Sequence, residues 1–201
     1  MNRISQNVRL LVYYLMLRWL PNINAPGGAI YDNLRYWCCR PLFRKCGYPV
    51  RIFHYANFGK GDKISIGNNS DLGTDSYVVG EVNIGNNVGM AFGVFITSMN
   101  REFSNTDKSI LAAGNRPIDP VTIKDDVILL AQCTILAGVI IGEHVVVGAG
   151  TVVSKDVPPW CVVAGNPARI VKWRKEMDSS YDPDTMTPLS EKLRKQYEEL
   201  Q

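Results

Sequence analysis

With 201 residues, 46% of them hydrophobic and 20% charged, the chain is long enough for one sizeable domain with appendages. Its 22 Lys/Arg against 19 Asp/Glu leave a formal charge of +3, and no strand interleaves aromatic with basic residues, which argues against nucleic-acid binding. The cysteines, Cys38, Cys39, Cys46, Cys133 and Cys161, lack metal-site spacing and read as reduced thiols of a cytosolic protein, while His54 and His144 fall short of a three-histidine metal centre.

The front of the chain is its basic end: residues 1–60 hold nine Lys/Arg against the single acid Asp32, leaving the remainder at −5. Within it, residues 6–20 favour helix, are apolar on nearly every side and stop at Pro21. The uninterrupted apolar run, Leu10 to Leu17, is eight residues, far below the roughly 20 that span a bilayer, and no small-residue cleavage pattern follows. Two readings stay open for this helix: packing on the body of the fold or on a second subunit, or peripheral contact with a membrane, with Arg3, Arg9 and Arg18 at the headgroups. A second helical stretch, Ile30 to Lys45, ends towards Gly47, which reads as its C-cap. Its Leu34, Trp37, Leu42 and Phe43 are expected to cover the open end of the first β coil downstream.

From Val50 to Lys63 the pattern is β-like but off phase, as a lead-in coil would be. His54 lies here and reads as a surface or packing residue. A six-residue rhythm then sets in, with apolar residues at Ile66, Leu72, Val78, Ile84, Met90 and Ile96. Four residues after each of the first five comes a small or β-branched side chain: Ser70, Ser76, Val82, Val88 and Val94. The same phase fills Ile123 to Pro158, with Ile123, Leu129, Ile135, Ile141, Val147 and Val153 followed by Val127, Cys133, Val139, Val145, Thr151 and Val157.

An amphipathic helix repeats every 3.6 residues and a half-buried strand every two. A repeat of six is the signature of a parallel β-helix. Each hexad makes one flat side of a triangular coil, with its first residue pointing inward and its small fifth residue near a corner. Gly67, Asn68, Asn69, Gly85, Asn86, Asn87, Gly142, Gly148 and Gly150 supply residues that tolerate tight corners. By its phase His144 is a surface position. Ile96 to Ile123 is 27 residues, which six does not divide, so an excursion leaves the prism between about Thr97 and Pro120. That loop is the first place to look for function.

After Val157 the repeat ends. Ile170 to Met177 can form a short helix, Asp182 to Pro188 is a linker, and Ser190 opens a charged tail helix ending near Leu200. The sequence therefore predicts an all-β solenoid at 50–165 with its excursion at 97–120, a helical N-terminal cap at 1–49 and C-terminal helices at 166–201.

Three stretches together resemble the hexapeptide-repeat acyltransferases, and within them the sugar O-acetyltransferase branch that includes maltose and galactoside acetyltransferases. The repeat covers about half the chain and is specific for the fold but not for a reaction. Gly148-Ala-Gly-Thr-Val-Val-Ser-Lys-Asp-Val-Pro-Pro159 followed by Ala164-Gly-Asn-Pro-Ala-Arg169 resembles the family's terminal coil. Ser98-Met-Asn-Arg-Glu-Phe-Ser-Asn-Thr-Asp107 resembles its active-site loop.

The resemblance implies a left-handed parallel β-helix that assembles as a homotrimer with its sites in the clefts between prisms. It also implies acetyl-CoA as acyl donor along the later coils, and a sugar or polysaccharide-precursor acceptor. Positions matching the family's cofactor contacts are Ala131, Ala149, Ser154, Lys155 and Arg169; corner N–H groups can hold the pantetheine and thioester oxygen, and Lys155 and Arg169 suit phosphates.

The family's loop carries an Asn-His pair whose imidazole takes the acceptor proton. Here the pair reads Asn100-Arg101, and a guanidinium cannot take that proton. The family's Val-Trp-Ile-Gly likewise appears as Val127-Ile-Leu-Leu130. Two readings result: a transferase in which Asp75 or another carboxylate is the base, or a catalytically silent trimer that binds a ligand.

Overall fold

The computed structural model describes residues 2–22, 25–104, 106–107 and 109–174. Helix α1 (Arg3–Leu15) starts at Asn2, whose side chain accepts the Ser5 N–H, and runs into a 3-10 turn at Leu17–Trp19. Helix α2 (Gly28–Cys39) continues into a second 3-10 turn at Arg40–Leu42. It stops short of the expected Lys45 because Lys45 and Cys46 already form a strand. Gly47 accordingly belongs to the first coil and donates its N–H to Ile66 O at 2.9 Å.

The body is a left-handed parallel β-helix of about six turns. Its first face holds β1 (Lys45–Cys46), β3 (Ile64–Ile66), β6 (Val82–Ile84), β9 (Val121–Ile123) and β12 (Ile140–Ile141). The second holds β2 (Val50–Ile52), β4 (Ser70–Leu72), β7 (Gly89–Met90), β10 (Ile128–Leu129), β13 (Val146–Val147) and β15 (Cys161–Ala164). The third holds β5 (Tyr77–Val79), β8 (Phe95–Thr97), β11 (Thr134–Ile135) and β14 (Val152–Val153). Every residue expected to point inward by the hexad phase is at most 5% exposed, from Ile66 through Val157. Burying two side chains per hexad on a continuous axis is what holds a solenoid together, since each coil covers only its neighbours.

The lead-in is off phase for a countable reason. Val50 pairs with Ser70, Ile52 with Leu72 and Asn57 with Tyr77, whereas Ile64 pairs with Val82. Two extra residues in the corner between Phe58 and Lys63 lengthen the first coil, so its strands pair at a different offset from those of every later coil.

Corners use left-handed backbone in columns. Asn69, Asn87, Asp126, His144 and Trp160 have positive φ at the first corner, between faces one and two; Tyr55, Asp75, Gly93, Gln132 and Gly150 have it at the second, between faces two and three. The first corner also needs glycine for space: a Cβ on Gly85 would stand 2.8 and 2.9 Å from the backbone of Lys124 and Asp125.

Two further elements differ from the pattern expected of the sequence. Ile170 to Met177 does not form a helix in its described part: Arg169–Trp173 is strand β16, antiparallel to β15. Ile170 and Val171 are β-branched, and the segment satisfies the polar edge that the last coil would otherwise leave open. Leu42 and Phe43 are buried over the first coil as expected, but Leu34 and Trp37 point outward. Arg35 takes the inward place instead, with its guanidinium on the carbonyls of Leu17, Leu20 and Pro21 and on Asp32 Oδ1 at 2.8 Å. The expected tail helix at Ser190 lies outside the described residues.

Candidate active site

The excursion leaves β8 at the third corner, between faces three and one, and returns at β9. Its two limbs hold each other as a narrow ribbon: Asp119 N donates to Ser98 O at 3.1 Å, Arg116 N to Asn100 O at 3.0 Å and Glu102 N to Gly114 O at 3.1 Å. Arg101 and Asn115 form an antiparallel bridge between these bonds. The root is anchored by the buried Ser98, whose hydroxyl accepts the Glu81 N–H at 2.6 Å. At the tip, α3 (Ile110–Ala113) is capped by Ser109.

Asn100 and Arg101 therefore sit on the outgoing limb, and both are exposed. Among the described residues Arg101 makes no ion pair. The neighbouring Glu102 is engaged: the hydroxyl and N–H of Ser104, with Arg116 at 4.0 Å, hold its carboxyl below the usual range. The loop also turns Met99, Phe103, Ile110 and Leu111 to solvent, the last at 81% exposure.

Ser154 and Lys155 follow β14 at this same third corner. The pairing of Ile135 with Ile96 and Val153 places them two coils beyond the loop's root. The other predicted residues gather at the second corner. Asp75 lies in its second coil, and Ala131 and Ala149 lie further along it, with Gly150 N donating to Ala131 O at 2.9 Å. Arg169 lies at its end, paired with Ala164 across β15 and β16. One chain thus brings Asn100, Arg101, Ser154 and Lys155 to one edge of the third face, and Asp75, Ala131, Ala149 and Arg169 to the other.

Between the two edges lies an aromatic floor. Tyr77 and Phe95 stack outward with centroids 5.6 Å apart and planes at 7°. With Asp75, Phe92 and Gln132 they line an open cavity of about 420 Å³. Ile128 stands outward on the second face and Leu130 just beyond it towards the second corner, 49% and 38% exposed.

Sequence reasoning passed over His54. The longer first coil places it in the column of Thr74, with His54 Nδ1 3.5 Å from Thr74 Oγ1, and its carbonyl accepts the Asp75 N–H at 3.1 Å. Burial and the charge of Arg35 push its imidazole below the ordinary value, while Asp75 acts against them. This favours the neutral imidazole, the form able to accept a proton. The available signal was the pairing offset of the lead-in coil, which hexad counting from Ile66 does not give. His144 is half-buried on the first corner, 2.6 Å from Asp126 Oδ2 and stacked on Trp160. Among the described residues no group of three or more His, Cys, Asp or Glu is placed to hold a metal ion.

A left-handed prism of hexads interrupted by one loop at a corner defines the class. Two family profiles match it: bacterial transferase hexapeptide (six repeats) over residues 120–155, and hexapeptide repeat of succinyl-transferase over residues 63–98. Over these two stretches the chain is similar to the hexapeptide-repeat transferases.

Among solved structures it is similar to a maltose O-acetyltransferase from Clostridium difficile 630, with TM-score 0.70 and 26% identity over 87% of this chain and 90% of that one. A hexapeptide-repeat acetyltransferase of Vibrio cholerae, complexed with acetyl coenzyme A, shares the fold at TM-score 0.68 and 23% identity, covering 87% of each chain. Among curated proteins it is 51% identical over 53 residues to a 2,3,4,5-tetrahydropyridine-2,6-dicarboxylate N-acetyltransferase of Brevibacillus brevis, a match to 26% of this chain and 22% of that protein. The corresponding Staphylococcus aureus protein is 44% identical over 61 residues, 30% of this chain and 26% of that one. The chain thus matches about a quarter of the length of these curated relatives.

Proposed function

We propose that the chain is an acetyl-CoA-dependent O-acetyltransferase acting, as a homotrimer, on a hydroxyl of a sugar or polysaccharide precursor. The observation that carries this reading is the third corner, where the ordered loop bearing Asn100 and Arg101 rises two coils before Ser154 and Lys155. The trimer is supported by the loop's outward apolar side chains, Phe103, Ile110 and Leu111. A ribbon ordered by its own backbone yet apolar on the outside suits docking against a neighbouring prism. Such a neighbour would join the loop edge of one subunit to the second-corner edge of the next.

In this reading acetyl-CoA runs along the later coils, with corner N–H groups near Ala131 and Ala149 polarising the thioester oxygen and Lys155 and Arg169 meeting phosphates. The sugar stacks on Tyr77 and Phe95. Its hydroxyl oxygen attacks the thioester carbonyl carbon, the C–S bond breaks, and CoA leaves as the thiol once protonated. The hydroxyl proton goes to the His54 and Asp75 pair, of which the neutral imidazole is the stronger base. Arg101 binds an anionic group of the acceptor and Asn100 orients it.

A second reading, a catalytically silent CoA- or ligand-binding trimer, is favoured by Ile128 and Leu130, which stand exposed where the resemblance expects Trp and Gly.

The test couples two measurements on the intact protein. Acetyl-CoA should raise its melting temperature, because a ligand bound to the native state alone stabilises it, and Lys155→Ala with Arg169→Ala should weaken that effect. Release of CoA thiol in the presence of a sugar should then be seen, and His54→Ala should slow it by about 10²-fold or more. No stabilisation at millimolar acetyl-CoA overturns the donor assignment; stabilisation without thiol release on any sugar favours the silent reading. Sedimentation equilibrium giving a monomer at micromolar concentration would remove the shared site.

A further inference from the structure

We propose that the outer faces of α1 and α2 seat the protein on an anionic lipid bilayer, with both helices lying flat in the headgroup interface. Helix α1 is apolar on two sides, and one is already used. Tyr13 is fully buried, with its hydroxyl donating to Ala56 O at 2.7 Å, and Leu10, Tyr14 and Leu17 pack on the same core.

The opposite side carries Ile4, Val8, Leu11, Val12 and Leu15, every one of them exposed. At about 100° per residue these five fall within an arc of roughly 100°, the width of a buried helix stripe. Leu11 and Leu15 are 59% and 71% exposed, and Trp19 prolongs the stripe at 59%. Helix α2 repeats the pattern with Ile30, Leu34 and Trp37 at helical spacing, all outward. The helices pack on each other, with Arg9 donating to the carbonyls of Trp37 and Cys38 at 3.1 and 3.2 Å.

Charge decides what covers this surface. Arg3 and Arg9 flank the α1 stripe on its two sides, and Arg40 is exposed beyond the end of α2, whereas Arg44 beside it is paired with Glu81 at 2.7 Å. Asp32, the only acid among residues 1–60, is consumed inside the fold by Arg35 at 2.8 Å. A second copy packed here would set Arg3, Arg9 and Arg40 against the same three cations, with no further carboxylate among residues 1–60 to answer them. An anionic bilayer offers phosphates to the arginines, an apolar layer to the stripes and an interface that favours tryptophan. The helix is 13 residues, about 20 Å long against a hydrocarbon core of about 30 Å, and no helix among the described residues is long and apolar enough to cross a membrane. It therefore lies on the surface.

The test is flotation of the full chain with vesicles of phosphatidylcholine alone and of phosphatidylcholine with a third phosphatidylglycerol. Binding should appear with the anionic vesicles at 50 mM NaCl and fall at least severalfold at 500 mM. Leu11→Gln with Leu15→Gln keeps helix-forming residues at exposed positions and should weaken binding on the order of tenfold or more. Circular dichroism of the variant checks that the fold is kept. Brominated lipid should quench Trp19 and Trp37, read as the quenching lost in a Trp19→Phe, Trp37→Phe variant.

Failure to float with anionic vesicles at low salt overturns the proposal, as does unchanged binding by the double glutamine variant. A fall in sedimentation mass of that variant, with no vesicle binding by the wild type, would make the face a contact between copies instead.

Discussion

Asp71 offers a measure of how this prism treats a half-buried charge. It lies in the middle of β4, beside Arg51 of β2, and its Oδ1 accepts the Met90 N–H at 2.7 Å. Burial pushes its carboxyl from the ordinary 3.8 up to about 6, against the opposing pull of that N–H and of Arg51. The folded protein therefore binds a proton that the unfolded chain has already released, and stability falls as pH rises from about 4 to about 6.

At 1.36 kcal/mol per pH unit the full effect is roughly 3 kcal/mol, and partial solvent access reduces it to about 1–2 kcal/mol. Asn at this position keeps the acceptor oxygen for Met90 and removes the charge. Asp71→Asn should thus be more stable than wild type by about 1–2 kcal/mol at pH 7, with the gap closing below pH 4. Urea denaturation followed by circular dichroism across pH 3.5–7.5 reads this directly. A variant no more stable at pH 7, or a gap that persists in acid, would refute the burial argument.

Two further predictions rest on the corners and the cap. Gly85→Ala sets a methyl against the backbone of Lys124 and Asp125 and should cost about 1–3 kcal/mol, seen as a lower urea midpoint. The thiol of Cys38 is lowered to about 7, chiefly by its hydrogen bond with Cys39, whereas burial pushes Cys133 and Cys161 up to about 12. Iodoacetamide at pH 7 should accordingly label Cys38 first, with mass spectrometry of the digest reporting the order.

The features legible in the sequence are those whose causes are periodic. The inward column from Ile66 to Val157 was legible because burial repeats every six residues, and the excursion because 27 is not a multiple of six. Irregular features were not legible. Strand β16 answers an open edge that exists only once β15 is in place, so Ile170 to Met177 read as a helix. Two extra residues in the first coil hid the alignment of His54 with Thr74, which pairing alone reveals. The outward turn of Leu34 and Trp37 depended on Arg35 reaching three carbonyls at the end of the first helical segment, a contact no local pattern encodes. At the site, residues on one corner could be grouped by counting hexads, but which corner of which subunit meets which cannot be counted along a single chain.

Arg101 is where the chemistry of the loop is decided. Its side chain is exposed, carried on a limb held by bonds at Ser98, Asn100 and Glu102, and without an ion pair among the described residues. If it binds an anionic group of the acceptor, Arg101→His should lower turnover on an acidic sugar by about 10–100-fold, the cost of a charge-assisted contact worth about 1.5–3 kcal/mol, and change turnover on a neutral sugar little. If it merely replaces a lost base, wild type should be slow on both sugars, and Arg101→His should raise the rate on the neutral one, since a positioned base is worth about 10² to 10⁴. The limb's backbone bonds do not depend on the side chain, so the substitution leaves the ribbon in place and the two outcomes separate cleanly. CoA thiol release measured for wild type and variant on one neutral and one acidic acceptor gives four rates. Brisk turnover on both sugars, unchanged by the substitution, would refute any role for Arg101 at the reacting centre and leave the second corner, with His54 and Asp75, to do the chemistry without the loop.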